Sequence, residues 1–223
     1  MNIEPIAYIY TDFQEKFGIP RQSGRVKSLT GRIVFEREFK NEEAIKGIEN
    51  FSHLWLIFGF SDASYKKGSM TVRPPRLGGN TRVGVFATRS PFRPNSLGLS
   101  CVKLEKIENG DLIVSGVDLL SKTPIYDIKP YIPYCDCVKE AKGSFAERMK
   151  DYSLNVIFPE ELLNILPKEK QQTVISCLKE DPRPSYHDDN REYSMLFLNY
   201  DIHFTVKENT LTVTGVDITK SNC

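Results

Sequence analysis

Arg89 and Arg93 stand on one short run, Gly84 to Ser100, which reads G-V-F-A-T-R-S-P-F-R-P-N-S-L-G-L-S. Val83, Val85 and Ala87 alternate with Gly84, Phe86 and Thr88, so a strand is expected to lead into the arginines. Ser90-Pro91 and Arg93-Pro94-Asn95 then break it. Each proline fixes its own φ and pushes the preceding residue toward extended geometry. The two guanidinium groups are thus expected on a stiff loop, placed to meet an anion or a carboxylate. A solvated turn is the plainer alternative.

Charge around this loop has one sign. From Ala63 to Leu104 there is no Asp or Glu, while Lys66, Lys67, Arg73, Arg76, Arg82, Arg89, Arg93 and Lys103 all fall within it. The whole chain is nearly neutral, at +1, so this is a local electrostatic footprint for an anion such as phosphate. Near the C-terminus Pro182 and Pro184 flank Arg183 in Asp181-Pro182-Arg183-Pro184-Ser185-Tyr186. That stiffness lowers the entropy lost when the arginine is ordered on binding, and Tyr186 could stack on an unpaired base. Arg183 could equally pair with Asp181 or with Asp188-Asp189.

Other chemistries find no foothold. There is no G-x-G-x-x-G run for a dinucleotide fold and no G-x-x-x-x-G-K-[ST] phosphate loop. His53, His187 and His203 form no legible triad or metal set, and His53 at a strand entrance suits a packing role. The five cysteines, Cys101, Cys135, Cys137, Cys177 and Cys223, match no common zinc spacing and are expected to be free thiols. Cys135 and Cys137 would share one face if that segment were a strand. No metal is expected. Met1 to Pro5 lack a basic n-region and an apolar h-region, and no run approaches a membrane span, so a cytoplasmic protein is expected.

The elements that must position these residues read mainly as strands. Ile3–Tyr10 is one. Val26–Phe35 reads as a hairpin around Thr30-Gly31, and Asn41 caps a short helix. Phe51–Phe60 reads as a buried strand, and Thr71–Arg73 as a short one. Cys101–Ile107 and Leu112–Val117 form a hairpin across Asn109-Gly110, among the strongest hairpin signals. Ile125–Tyr131 is extended. Many strands, short turns and one small helix argue for a closed barrel over residues 1–140. Residues 141–223 change character: a polar link with a turn near Phe145–Met149, a strand at Leu154–Phe158, helices after Pro159 and Pro167, and a hairpin of Tyr193–Val206 with Thr210–Val216. The expected fold is mainly β, a β-barrel followed by a small α+β domain.

The run G-V-F-A-T-R-S-P-F-R-P-N resembles the signature of the TsaA-like (YaeB/TrmO-type) family. Pro20-Arg21-Gln22, Phe51-Ser52-His53-Leu54-Trp55, Thr71 to Asn80, Asp127-Ile128-Lys129-Pro130-Tyr131 and Asp181 to Tyr186 are similar to its other blocks, in order along nearly the whole chain. The resemblance implies a non-Rossmann, S-adenosylmethionine-dependent methyltransferase. Its substrate would be tRNA bearing N6-threonylcarbamoyladenosine at adenosine-37, beside the anticodon. It implies a cofactor site of Pro20, Arg21, Gln22, Ser52, His53, Arg89, Leu99, Asp118, Leu119, Leu120 and Ser121, near a homodimer interface. An arginine would hold the methionine carboxylate, Asp118 the ribose or amino group, and Leu99 with Leu119 the adenine. Asp118, Asp127 and Tyr126 are the candidates for a base that takes the N6 proton, though Asp127 could simply pair with Lys129. Arg73, Arg76, Arg93, Arg183 and Tyr186 would hold the tRNA. Ser121-Lys122-Thr123-Pro124 and Ser185 depart from the family's usual residues. Two other readings remain: a barrel methyltransferase for another RNA or a small molecule, and a nucleic-acid-binding barrel without catalysis.

Overall fold

The computed structural model describes residues 2–60, 70–74, 81–183 and 191–219. Six strands close into a barrel: β1 (Ala7–Thr11), β2 (Thr30–Phe35), β3 (His53–Gly59), β6 (Leu97–Glu108), β7 (Asp111–Ser115) and β8 (Thr123–Pro130), in the order β1-β2-β7-β6-β3-β8. β4 (Thr71–Val72) and β5 (Val83–Gly84) form a small separate ribbon. Alternate residues point inward and fill the barrel: Ala7, Ile9, Ile33, Leu54, Leu56, Leu112, Val114 and Ile125 are all buried. Period-two alternation is what lets one strand line a core and face outward at once. The β6–β7 hairpin turns at Asn109 and Gly110, with φ of 54° and 78°, as the Asn-Gly pair demands.

The C-terminal part is a four-stranded sheet in the order β10-β11-β12-β9, where β9 is Asn155–Ile157, β10 Tyr193–Phe197, β11 Tyr200–Lys207 and β12 Thr210–Ile218. A single helical turn α1 (Pro133–Asp136) leaves the barrel. Two helices, α2 (Glu160–Leu163) and α3 (Lys168–Lys179), accompany the sheet, and α3 buries Thr173, Val174, Cys177 and Leu178. Mainly-β architecture with a closed barrel is therefore observed.

The long β1–β2 connection joins the two halves. Phe13 meets Phe197 edge-on at 5.4 Å, and Phe17 stacks on Tyr193 and Phe204 at 6.3 and 6.4 Å. Lys170 pairs with Asp12 at 2.6 Å, and the Leu198 N–H donates to the Asp12 carbonyl at 2.7 Å. Phe13, Phe197 and Phe204 are fully buried, so each contributes roughly 1.5–3 kcal/mol of burial.

Four sequence expectations change. Thr30-Gly31 is not a turn. Gly31 lies within β2, where a Cβ would meet Ile9 Cδ1 at 2.9 Å, so glycine is there for space. Val85–Ala87 is a 3-10 turn rather than strand, and only Val83–Gly84 is extended. Tyr193–Val206 is two strands, because Leu198 turns at φ 56°. Cys135 and Cys137 flank the end of a helical turn and share no strand face. The Asn41 cap holds: its side chain accepts from the Glu43 N–H at 2.9 Å, at the start of a 3-10 turn over Glu42–Ile45.

Candidate active site

β6 outruns its partner. It pairs with β7 only from Lys103 to Glu108, leaving the Leu97–Val102 edge without that neighbour. The β1–β2 loop takes its place. Ser23 Oγ accepts from the Cys101 N–H at 3.2 Å, and Gly24 N–H donates to the Gly116 carbonyl at 2.8 Å. This brings Pro20 to Ser23 against the segment after β7, where Asp118 lies. Asp118 Oδ1 accepts from Ser100 Oγ at 2.6 Å. Burial pushes the Asp118 carboxyl above its ordinary value. Hydrogen bonds from Ser100 and the Ser23 backbone and the nearby Arg89 charge oppose that rise but do not cancel it.

Arg89 reaches the same place from the proline loop, donating from Nη1 to Gln22 Oε1. Gln22 Nε2 donates to the Arg21 carbonyl at 2.6 Å, which turns its oxygen toward Arg89. The loop itself is stapled. Thr88 Oγ1 donates to the Val85 carbonyl at 2.9 Å, and Arg93 Nη1 donates to the Thr88 carbonyl at 3.2 Å. Arg93 is thus a brace within its loop before it is an anion ligand.

Arg21, Gln22 and Arg89 line a cleft of about 1350 Å³. Arg73 and Arg82, beside the small β4–β5 ribbon, line it too, as do Lys142, Phe145 and Lys150 from the polar link. The one acid among its described lining residues is Glu180, which Arg25 pairs at 2.9 Å. Arg82, Lys142 and Lys150 were not singled out as ligands from sequence, and neither were Ser23 and Ser100. The first three could have been found from the cation run and the polar link, whereas isolated serines carry no signal.

The remaining expected residues divide. Leu99 faces outward and is 53% exposed, open to an apolar ligand. Leu119 is 2% exposed and packs into the core, while its carbonyl accepts from Thr11 Oγ1 at 2.9 Å, so its side chain cannot cover adenine as expected. Ser121 N–H donates to the Phe13 carbonyl and the Leu120 carbonyl accepts from Thr123 Oγ1, which fixes the 118–121 backbone. Ser52 and His53 bond each other at 2.9 Å and sit opposite Lys103, four residues along β6 from Leu99. At about 3.3 Å per residue that is roughly 13 Å away. Asp127 pairs with Lys129 at 2.8 Å and accepts from the Ile128 N–H, the structural alternative foreseen for it. Tyr126 lies across Gly59, where a Cβ would meet its hydroxyl at 2.9 Å. Arg183 is held by Asp181 at 2.9 Å, so the pairing alternative is the one observed. Arg76 and Tyr186 lie outside the described residues.

Two family models match the chain, the tRNA-methyltransferase O N-terminal domain over residues 8–137 and the TrmO C-terminal domain over residues 151–219. The chain belongs to the tRNA-methyltransferase O family. A tRNA (adenine(37)-N6)-methyltransferase of Escherichia coli is 36% identical over 218 residues, covering 92% of this chain and 93% of that one. RcsF of Pseudomonas aeruginosa, described as a candidate S-adenosylmethionine-dependent methyltransferase, is 40% identical over 212 residues, 91% of each chain. A crystal structure of TrmO from P. aeruginosa superposes with a TM-score of 0.81 at 33% identity, covering 98% of this chain and 97% of that one. The superposition spans both the barrel and the C-terminal sheet. Among the described residues no helix is long and apolar enough to cross a membrane.

Proposed function

We propose that this chain binds S-adenosylmethionine where the β1–β2 loop meets the β6 edge and methylates N6 of N6-threonylcarbamoyladenosine at position 37 of tRNA. The observation that carries the reading is the convergence of Arg89, Gln22 and a desolvated Asp118 beside a cation-lined cleft. The donor set fits the cofactor. Arg89 is an exposed cation suited to a carboxylate, Asp118 accepts from an amine or ribose hydroxyl, and Leu99 offers an apolar face for adenine. When bound, the cofactor supplies an electrophilic methyl group.

The protein's own contribution is positioning and proton transfer. Acylation of N6 makes its proton more acidic and ties up its lone pair. A base that takes this proton restores the nucleophile. Asp118 suits that role better than Asp127, which is already paired, because burial raises its basicity. Residues 1–140 would hold the cofactor and residues 141–223 would help recognise the anticodon loop, with the cleft between cation-bearing walls tracking the phosphates. The molecule would act as a homodimer in the cytoplasm. Trp55, Ile57 and Leu99 alternate with the buried residues of β3 and β6 and so share one outer face, and Trp55 Nε1 donates to Asp136 Oδ2 of α1 at 3.0 Å. Such a face suits a symmetric apolar contact.

Nucleoside mass spectrometry of tRNA from a strain lacking the gene tests this. Loss of the methylated form, restored by the wild-type gene, supports it; unchanged tRNA nucleosides contradict it.

A further inference from the structure

A continuous line of hydrogen bonds crosses from the C-terminal part to Arg89. Tyr152 OH donates to Asp181 Oδ2 at 2.8 Å. Arg183 donates to both Asp181 oxygens, from Nε at 2.9 Å and from Nη2 at 3.0 Å, and its N–H adds a third bond at 3.3 Å. The Arg183 carbonyl accepts from Arg21 Nη2 at 2.7 Å. The Arg21 carbonyl accepts from Gln22 Nε2, and Gln22 Oε1 accepts from Arg89.

Asp181 begins that line at the end of a helix. It follows α3 at φ 53°, the left-handed position where a helix ends most easily on glycine or asparagine. Aspartate tolerates that conformation, and here its carboxylate also accepts the Arg183 N–H two residues on, which closes the turn after the helix. Burial works to raise that carboxyl, but the bonds from Arg183 and Tyr152 together hold it below the usual carboxylate range. The Asp181 and Arg183 side chains are 12% and 11% exposed, so this pair lies out of solvent and is not a floppy surface contact.

We infer that Asp181 and Arg183 are positioning residues for the cofactor loop. Their bidentate pair fixes the Arg183 carbonyl, which anchors the Arg21 guanidinium and sets the Arg21–Gln22 backbone from which Gln22 meets Arg89. The C-terminal element thus shapes the cofactor end of the cleft, and Arg183 acts on the reaction through Arg21. The inference rests on the reading that Gln22 and Arg89 bind S-adenosylmethionine.

A double-mutant cycle on the full chain tests it, with S-adenosylmethionine affinity read by calorimetry and thermal unfolding read in parallel. Asp181→Asn suits the left-handed backbone, removes the charge and turns one of the two acceptor oxygens into an amide donor, so the bidentate pair with Arg183 is broken. It weakens cofactor binding about ten-fold, a typical coupling within one hydrogen-bond network. In an Arg21→Ala background the same substitution adds less than about two-fold, because the line is already cut. Arg183→Lys, which keeps one bond to Asp181, falls between wild type and Arg183→Ala. If Asp181→Asn lowers the melting temperature but leaves affinity unchanged while Arg21→Ala and Arg89→Ala weaken it, the brace is overturned and the cofactor site stands. Additive losses of affinity overturn the brace as well. If Arg89→Ala binds the cofactor as wild type does, the cofactor-site reading falls and the brace with it.

Discussion

Ser100 and Asp118 are joined by a 2.6 Å hydrogen bond across the edge that β7 leaves open on β6. Ser100 is an inward-facing, buried residue of the strand, and Asp118 belongs to the segment that follows the neighbouring strand. One hydroxyl thereby fixes a carboxylate whose charge burial disfavours. The barrel and the proposed chemistry meet at this pair.

Asp118 should set the acid limb of the pH profile. Its folded pKa lies above the ordinary carboxylate value of about 3.9, so activity falls as pH drops through that raised value. For stability the sign is the reverse: protonation relieves a buried charge, so this group favours the folded state more as pH falls. Asp118→Asn should cut turnover by about 10²–10⁴-fold, the usual contribution of a general base, and abolish the limb. A full-rate Asp118→Asn enzyme would move the base elsewhere.

Arg89 should contribute to cofactor affinity. Arg89→Ala is expected to weaken S-adenosylmethionine binding by about 1.5–3 kcal/mol, the range for a hydrogen bond to a charged group. Calorimetry on the folded variant reads this directly. Arg93→Ala should act differently, loosening the loop that it staples through the Thr88 carbonyl.

Phe13 should hold the two halves together. It is fully buried against Phe197, and Phe13→Ala should cost about 3–5 kcal/mol of unfolding free energy. Urea unfolding followed by tryptophan fluorescence and circular dichroism measures it. A loss under about 1 kcal/mol would mean that the interface collapses to fill the gap.

The cleft walls should carry phosphate contacts. Arg82→Ala with Lys142→Ala should weaken tRNA binding and reduce the slope of log affinity against log salt by about 0.7–0.9 per lost contact. Cofactor affinity, measured on the same protein, should hold. An unchanged salt slope would remove these two residues from the RNA path.

Much of the barrel was legible because strand periodicity and the Asn109-Gly110 turn are local signals. The turn at Leu198 was not. A leucine at φ 56° runs against its own preference, and its N–H is held by the Asp12 carbonyl, a contact no local rule contains. Gly31 misled for a related reason, since glycine reads as a turn unless the neighbouring Ile9 is known to press on it. In the candidate site, the ordered motifs named Arg89, Gln22 and Asp118, and the structure brings those three together. Ser23 and Ser100 were not, because a hydroxyl's role depends on which edge the fold leaves unpaired. The same dependence hid the use of Arg183, whose side chain points at Asp181 while its carbonyl carries the link to Arg21.

The central claim is methyl transfer to N6 of threonylcarbamoyladenosine. Its most direct measurement incubates the purified chain with S-adenosylmethionine and tRNA that carries that nucleoside, with unmodified tRNA alongside, and follows digested nucleosides by mass spectrometry. The account predicts one added methyl on the threonylcarbamoyl nucleoside, none on the unmodified tRNA, and loss of the product with Asp118→Asn. Methylation of unmodified adenosine, or no transfer by a protein that binds the cofactor, would contradict it.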